Sequence, residues 1–137
     1  MGSNAEGKLG IGSVETTHCN VPTLVEGIRG IQKVSCGGSH TLAINFEGDA
    51  FSWGQASYGA LAVDTIHNCL QPIQITSLNG IRDVSAGGRH SLFLTSSRRA
   101  FACGEASQGQ LGLELKSTQD RICLPKQVKK FEGRCVD

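Results

Sequence analysis

The sequence predicts an all-β chain, a partial β-propeller built of four-stranded antiparallel blades, on three observations. First, Val34-Ser35-Cys36-Gly37-Gly38-Ser39-His40-Thr41-Leu42-Ala43-Ile44 returns fifty residues later as Val84-Ser85-Ala86-Gly87-Gly88-Arg89-His90-Ser91-Leu92-Phe93-Leu94. Self-similarity at such a period marks stacked or radially arranged copies of one supersecondary unit. Second, the apolar runs are short and bounded by turn residues, and no stretch sustains a helical period. Third, 18 glycines among 137 residues supply the turn positions that such repeats require.

The elements follow in order. Gly2 through Gly10 matches Gly54 through Ala62, so the chain opens in the tail of one unit, and Pro22-Thr23-Leu24-Val25 begins the next. Ile31 to Cys36 is an apolar run ended by Gly37-Gly38. His40 to Phe46 alternates, with Leu42, Ile44 and Phe46 on one face and Ala43 opposite. Glu47-Gly48-Asp49 is a hairpin turn, and Ala50 to Trp53 is the returning strand. After a long loop, Pro72 to Thr76 supplies a fourth strand that tolerates proline at its start. The second unit repeats this with Ile81–Ala86, His90–Thr95, Ala100–Cys103 and Leu124–Val128. Its hairpin, Ser96-Ser97-Arg98-Arg99, lacks glycine and is expected to need a different turn geometry. Four strands per unit describe a propeller blade. The expected divisions are 1–30 as the tail of one repeat and first strand of the next, 31–80 and 81–128 as complete units, and 129–137 as the start of a truncated unit. Gly7, Gly37, Gly38, Gly54, Gly59, Gly87, Gly88, Gly104 and Gly109 are the structural repeat glycines.

With 13 basic and 12 acidic residues, the net charge of +1 provides no global field to recruit nucleic acid or an anionic membrane. No apolar run is long enough to span a bilayer. Lys126-Gln127-Val128-Lys129-Lys130 and Arg98-Arg99 are the basic clusters and read as solvated edges. Cys19, Cys69 and Cys123 precede Pro22, Pro72 and Pro125 by nearly the same offset, and are expected at equivalent sites of successive units. Sites on adjacent blades lie ~10 Å apart, too far for a disulfide or a shared metal. No Cys-x-x-Cys pair occurs, so the expectation is reduced thiols, no metal and no cofactor, in the cytoplasm or nucleus.

His40, Arg89 and His90 are the candidate partner-facing residues. The structural reading has each imidazole hydrogen-bonding backbone or turn groups after the Gly-Gly. The functional reading displays the histidines at one end of the propeller channel. Neither unit supplies a nucleophile, base and orienting group together, so no enzymatic activity is expected. The Gly-rich loops lead into no helix that could cradle a phosphate.

These motifs resemble the regulator of chromosome condensation repeat. The Val-Ser-small-Gly-x-x-His-Thr/Ser box at 34–44 and 84–94 carries the resemblance, together with Trp53-Gly54…Gly59-x-Leu61 and Gly104…Gly109-Gln110-Leu111-Gly112. Kelch repeats would add a Tyr and a Trp after each Gly-Gly, and WD repeats a Trp-Asp pair; the chain has neither pattern. Departures are Cys103 for an aromatic, Ala62 for a glycine, and Ala56 and Ala106 where Asn4 keeps the usual asparagine.

The resemblance implies a seven-bladed propeller that binds proteins, whose name-giving member is a guanine nucleotide exchange factor for a Ran-type small GTPase and docks on nucleosomes. A noncatalytic protein-interaction module is the expected function. Its alternatives are exchange regulation of a small GTPase and a chromatin or nucleic-acid binder, which would need a basic face. Seven such blades need on the order of 350 residues, against 137 here. The chain is therefore expected to be a fragment or short isoform with uncovered sheet faces, marginally stable by itself, and to self-associate or need the missing blades.

Overall fold

A computed structural model describes residues 1–115 and 120–131. Strands are numbered in chain order. Gly2–Ser3 (β1) pairs with His18–Cys19 (β2). One four-stranded antiparallel sheet follows, in the order Ile31–Cys36 (β3), His40–Asn45 (β4), Ala50–Gly54 (β5) and Cys69–Gln74 (β6). A second repeats it with Ile81–Ala86 (β7), His90–Thr95 (β8), Ala100–Glu105 (β9) and Arg121–Gln127 (β10). Both sheets are meanders in which neighbours in sequence are neighbours in space. Even the irregularities recur: the register shifts between Ile31 and Lys33 in the first sheet and between Ile81 and Asp83 in the second. Most of the stretch 129–137 read as a truncated unit lies outside the described residues.

Alternation within the strands sends side chains to both faces, and both faces find partners. Leu42 and Ile44 of β4 join Phe93, Cys103, Leu111 and Ile122 of the second unit in one cluster. From the opposite face of β4, Ala43 joins Trp53, Leu61 and Cys69, with Val25 and Ile28 of the preceding segment packed against them. The sheets therefore stack face to face, as propeller blades must. Among the described residues, the second sheet has no such cover in front. Leu42 is 0% exposed, but its counterpart Leu92 is 39% exposed.

Three expectations about the strands need correction. Phe46 was expected to continue the inward face of β4, but β4 ends at Asn45 and Phe46 lies in the turn, 75% exposed. Asn45 ends the strand there because its Oδ1 accepts from the N–H groups of Glu47 and Asp49, a local turn that competes with the ladder. The fourth strands begin earlier than Pro72 and Leu124, at Cys69 and Arg121, and each proline sits inside a register shift on the outer strand. An edge or bulge position needs no N–H from proline. Cys123 is not the counterpart of Cys69. Gly54 lies opposite Cys69, whereas Gly104 lies opposite Ile122. The offset to proline is one residue shorter in the second unit, and a one-residue step in a strand moves a side chain to the other face.

The glycine-free hairpin also departs from expectation, since its geometry is retained. Arg98 has φ 62° where Gly48 has φ 86°, and the Thr95 and Asn45 side chains brace the two turns alike. An arginine in the left-handed region costs about 1–2 kcal/mol. Arg98→Gly is therefore expected to stabilise the chain by about 1 kcal/mol, read as a higher denaturation midpoint at unchanged m-value.

The loss of the aromatic at Cys103 is offset nearby. Ala43 and Trp53 in the first unit correspond to Phe93 and Cys103 in the second, and all four are buried. Bulk has moved from one strand to its neighbour. Cys103→Trp alone is expected to overpack the cluster and cost roughly 1–3 kcal/mol. Combining it with Phe93→Ala should recover much of that loss, which a double-mutant cycle would read directly.

Candidate interaction surface

The two Gly-Gly loops, Gly37–Ser39 and Gly87–Arg89, lie at the same end of the stacked sheets as the long loops that follow Gly54 and Gly104. Close backbone approach brings the first two together: the Gly38 N–H donates to the Gly87 carbonyl at 3.2 Å. A Cβ on Gly38 would lie 2.7 Å from the Gly88 oxygen, while one on Gly88 would meet nothing within 4 Å.

His40 is 2% exposed, so burial removes it from the partner-facing set. Its hydrogen-bond partner is also not the local turn. His40 Nε2 lies 2.8 Å from Ser91 Oγ, on the adjacent sheet. The Ser91 hydroxyl gives its single proton to the Ala60 carbonyl at 2.7 Å. His40 Nε2 must then carry the hydrogen, which fixes a neutral tautomer by the network around it. Burial lowers its pKa from 6.5 to about 4, with a smaller contribution from His90 nearby.

A serine oxygen at 2.8 Å from an imidazole has the spacing of a nucleophile and its base. Here the roles are reversed, because the imidazole donates and the serine proton is already spent on a carbonyl. Ser91 is also fully buried. The pair is a fastening between blades.

That fastening recurs. Thr41, the counterpart of Ser91, donates to the Lys8 carbonyl at 2.8 Å, and Trp53 Nε1–H donates to the same oxygen at 2.9 Å. Cys103, in the Trp53 position, directs its thiol to the Ala60 carbonyl at 3.8 Å. Further links between the sheets are the Ala86 N–H to Ser35 Oγ, at 2.9 Å, and Lys33 to Asp83, at 3.0 Å. Sequence reasoning named the histidines but missed Ser91 and the Lys8 and Ala60 carbonyls. The recurring Thr/Ser after each box histidine was the available signal.

Arg89 and His90 lie at the loop end, Arg89 exposed and His90 half-buried. The Arg89 guanidinium stacks over the Tyr58 ring, 4.3 Å from its centroid, and Nη1 lies 3.5 Å from Glu105 Oε1. Arg121 Nη1 donates to the Ser57 carbonyl at 2.8 Å in the same region. The arginine is thus held over an aromatic ring while its side chain stays 53% exposed.

Burial raises the Cys103 thiol to about 12 and raises Cys69, which keeps both protonated and inert. Cys19, Cys36, Cys69, Cys103 and Cys123 are free thiols. Among the described residues, no three or more His, Cys, Asp or Glu side chains converge as a metal site, and no helix is long and apolar enough to cross a membrane.

Comparison with known proteins places this architecture. A family model described as the regulator of chromosome condensation (RCC1) repeat matches residues 1–44 and 47–94. A second model of that description matches 31–60 and 81–110. The serine/threonine-protein kinase Nek8 of Danio rerio is 40% identical over 75 residues, covering 52% of this chain and 10% of the kinase. The E3 ubiquitin-protein ligase HERC2 of Homo sapiens is 42% identical over 64 residues, covering 44% of this chain and 1% of the ligase. The chain thus spans a tenth or less of those two relatives. Among solved structures, human WBSCR16 superposes with a TM-score of 0.78 at 19% identity, over 93% of this chain and 33% of its own. Yeast RCC1 (Prp20) bound to Kap60 superposes with a TM-score of 0.76 at 19% identity, over 96% of this chain and 33% of its own. Prp20p from Saccharomyces cerevisiae, described with its binding properties to Gsp1p and histones, gives 0.72 at 19% identity, over 95% of this chain and 33% of its own. At that identity the likeness is one of fold.

Proposed function

The chain belongs to the regulator of chromosome condensation repeat family, and on that footing we propose that it is a noncatalytic protein-interaction module of a propeller protein of the cytoplasm or nucleus. It presents the loop end of its blades to a protein partner. The observation that carries this reading is Arg89, exposed yet held between Tyr58 and Glu105. Arginine and tyrosine are the residue types that dominate binding energy at interfaces. His90 is the second contact, while 31–80 and 81–128 serve as the repeat units that carry the surface.

A photoreactive side chain at position 89 tests this. It should crosslink a discrete protein in a cell extract, and a copy of the probe at Gln74, on the outer strand, should not. Equal labelling from both positions would overturn the reading. Exchange regulation of a small GTPase is the second reading, supported by the fold shared with yeast RCC1 and by the family resemblance. Accelerated GDP release from one member of a small-GTPase panel would favour it.

The uncovered Leu92 face leads us to propose self-association of the isolated chain as well. Sedimentation velocity should show mass rising with concentration, and Leu92→Asp should shift the chain toward monomer. A monomer at every concentration would count against it.

A further inference from the structure

At the opposite end from Arg89, the two units differ in charge at matching places. The first carries Glu47, Gly48 and Asp49 in its hairpin and Thr76-Ser77 after its fourth strand. The second carries Ser97, Arg98 and Arg99 in the hairpin and Lys129-Lys130 after β10. The latter segments adjoin, since the Val128 N–H donates to the Ala100 carbonyl at 2.8 Å. Arg99, Lys129 and Lys130 are exposed. The fold does not ask for this chemistry, because the first unit builds the same turn with acidic residues and a glycine. Arg98 even holds the turn in a conformation that favours glycine, with φ 62°.

We propose that this basic corner of the second blade, formed by the β8–β9 turn and Lys129-Lys130, docks a short acidic protein segment. Complementary charge selects the partner's sign. Its small extent and flanking carboxylates select a peptide over a nucleic acid. Glu114 lines a groove with Lys126, Lys129 and Lys130, and Asp83 lines another with Lys130. A long polyanion would run across these carboxylates, whereas a short acidic segment can avoid them. The corner also has no exposed aromatic ring among its described side chains for a base to stack on. This inference is independent of the Arg89 surface, which lies at the other end.

The test is a titration of the 137-residue chain with fluorescein-labelled octaglutamate, octalysine and oligothymidine at fixed ionic strength. Octaglutamate should bind, and octalysine and oligothymidine, each titrated separately, should not. The double variant Arg99→Glu/Lys130→Glu should lose about tenfold or more in affinity. Lys8→Glu, at the loop end, should change nothing. Arg99→Gln should weaken binding by a smaller factor than the double charge reversal, as loss of one charge requires. Tighter binding of oligothymidine, no preference for octaglutamate over octalysine, or an equal loss in Lys8→Glu would each overturn the proposal.

Discussion

Gly54→Ala is expected to cost at least about 3 kcal/mol, a large fraction of the ~5–15 kcal/mol that holds a domain folded. Gly54 has φ 105°, and a Cβ there would lie 2.4 Å from the Ser39 carbonyl oxygen and 2.8 Å from His40 Cα. Both contacts are backbone atoms, one at the end of the Gly-Gly loop and one at the start of the paired strand, so no side chain can swing aside. Gly104→Ala should behave alike, since its Cβ would meet the Arg89 oxygen and His40's counterpart His90 at 2.5 Å. Gly109→Ala is the control. Its φ of 72° is also left-handed, but nothing lies within 4 Å of the added carbon. That variant should lose only the conformational term, about 1–2 kcal/mol. Urea denaturation of the three variants would separate clash from conformation, and equal losses at positions 54 and 109 would refute the distinction.

Acid should weaken the chain through His40. Its pKa in the folded state is about 4, against 6.5 for a free imidazole. Between these values the unfolded chain binds more protons than the folded one, so stability falls as pH falls. The loss from this group begins near pH 6.5 and is complete below about pH 4, where both states are protonated. It amounts to roughly 3 kcal/mol by linkage. The cause is burial first and the neighbouring His90 second. His40→Gln should flatten the stability profile across this window, at the cost of a lower plateau near neutrality because the Ser91 contact is disturbed. Unfolding midpoints measured at several pH values would show it. A wild-type profile flat from neutrality to pH 4 would mean the imidazole does not titrate as its burial requires.

Strand positions were largely legible because the period-two pattern and the Gly-Gly punctuation are local signals. β3, β7 and β8 occupy the residues expected from the apolar runs. Phe46 was misread because hydrophobic alternation continues one step past the point where Asn45 turns the chain. Cys123 was misread because spacing to proline was counted without the bulge that changes strand phase. Arg98 shows a limit of another kind, since a turn enforced by its flanking strands can hold a residue of poor intrinsic preference. The partner of His40 is fifty-one residues away in sequence. Nothing local identifies it; stacking the copies does.

The fastening between blades has a direction. A carbonyl in each unit's tail receives donors from the unit after it, and His40 reaches forward to the same successor. Both seams among the described residues therefore use a hydroxyl from one unit and a carbonyl from the unit before it. Excising a whole period, residues 31–80, would bring the Lys8 carbonyl to face Ser91 and Cys103 in place of Thr41 and Trp53. Each joint is thus built from donors and an acceptor at equivalent positions of the repeat, so a blade can be removed in whole periods and leave a hydroxyl facing a carbonyl at the new joint.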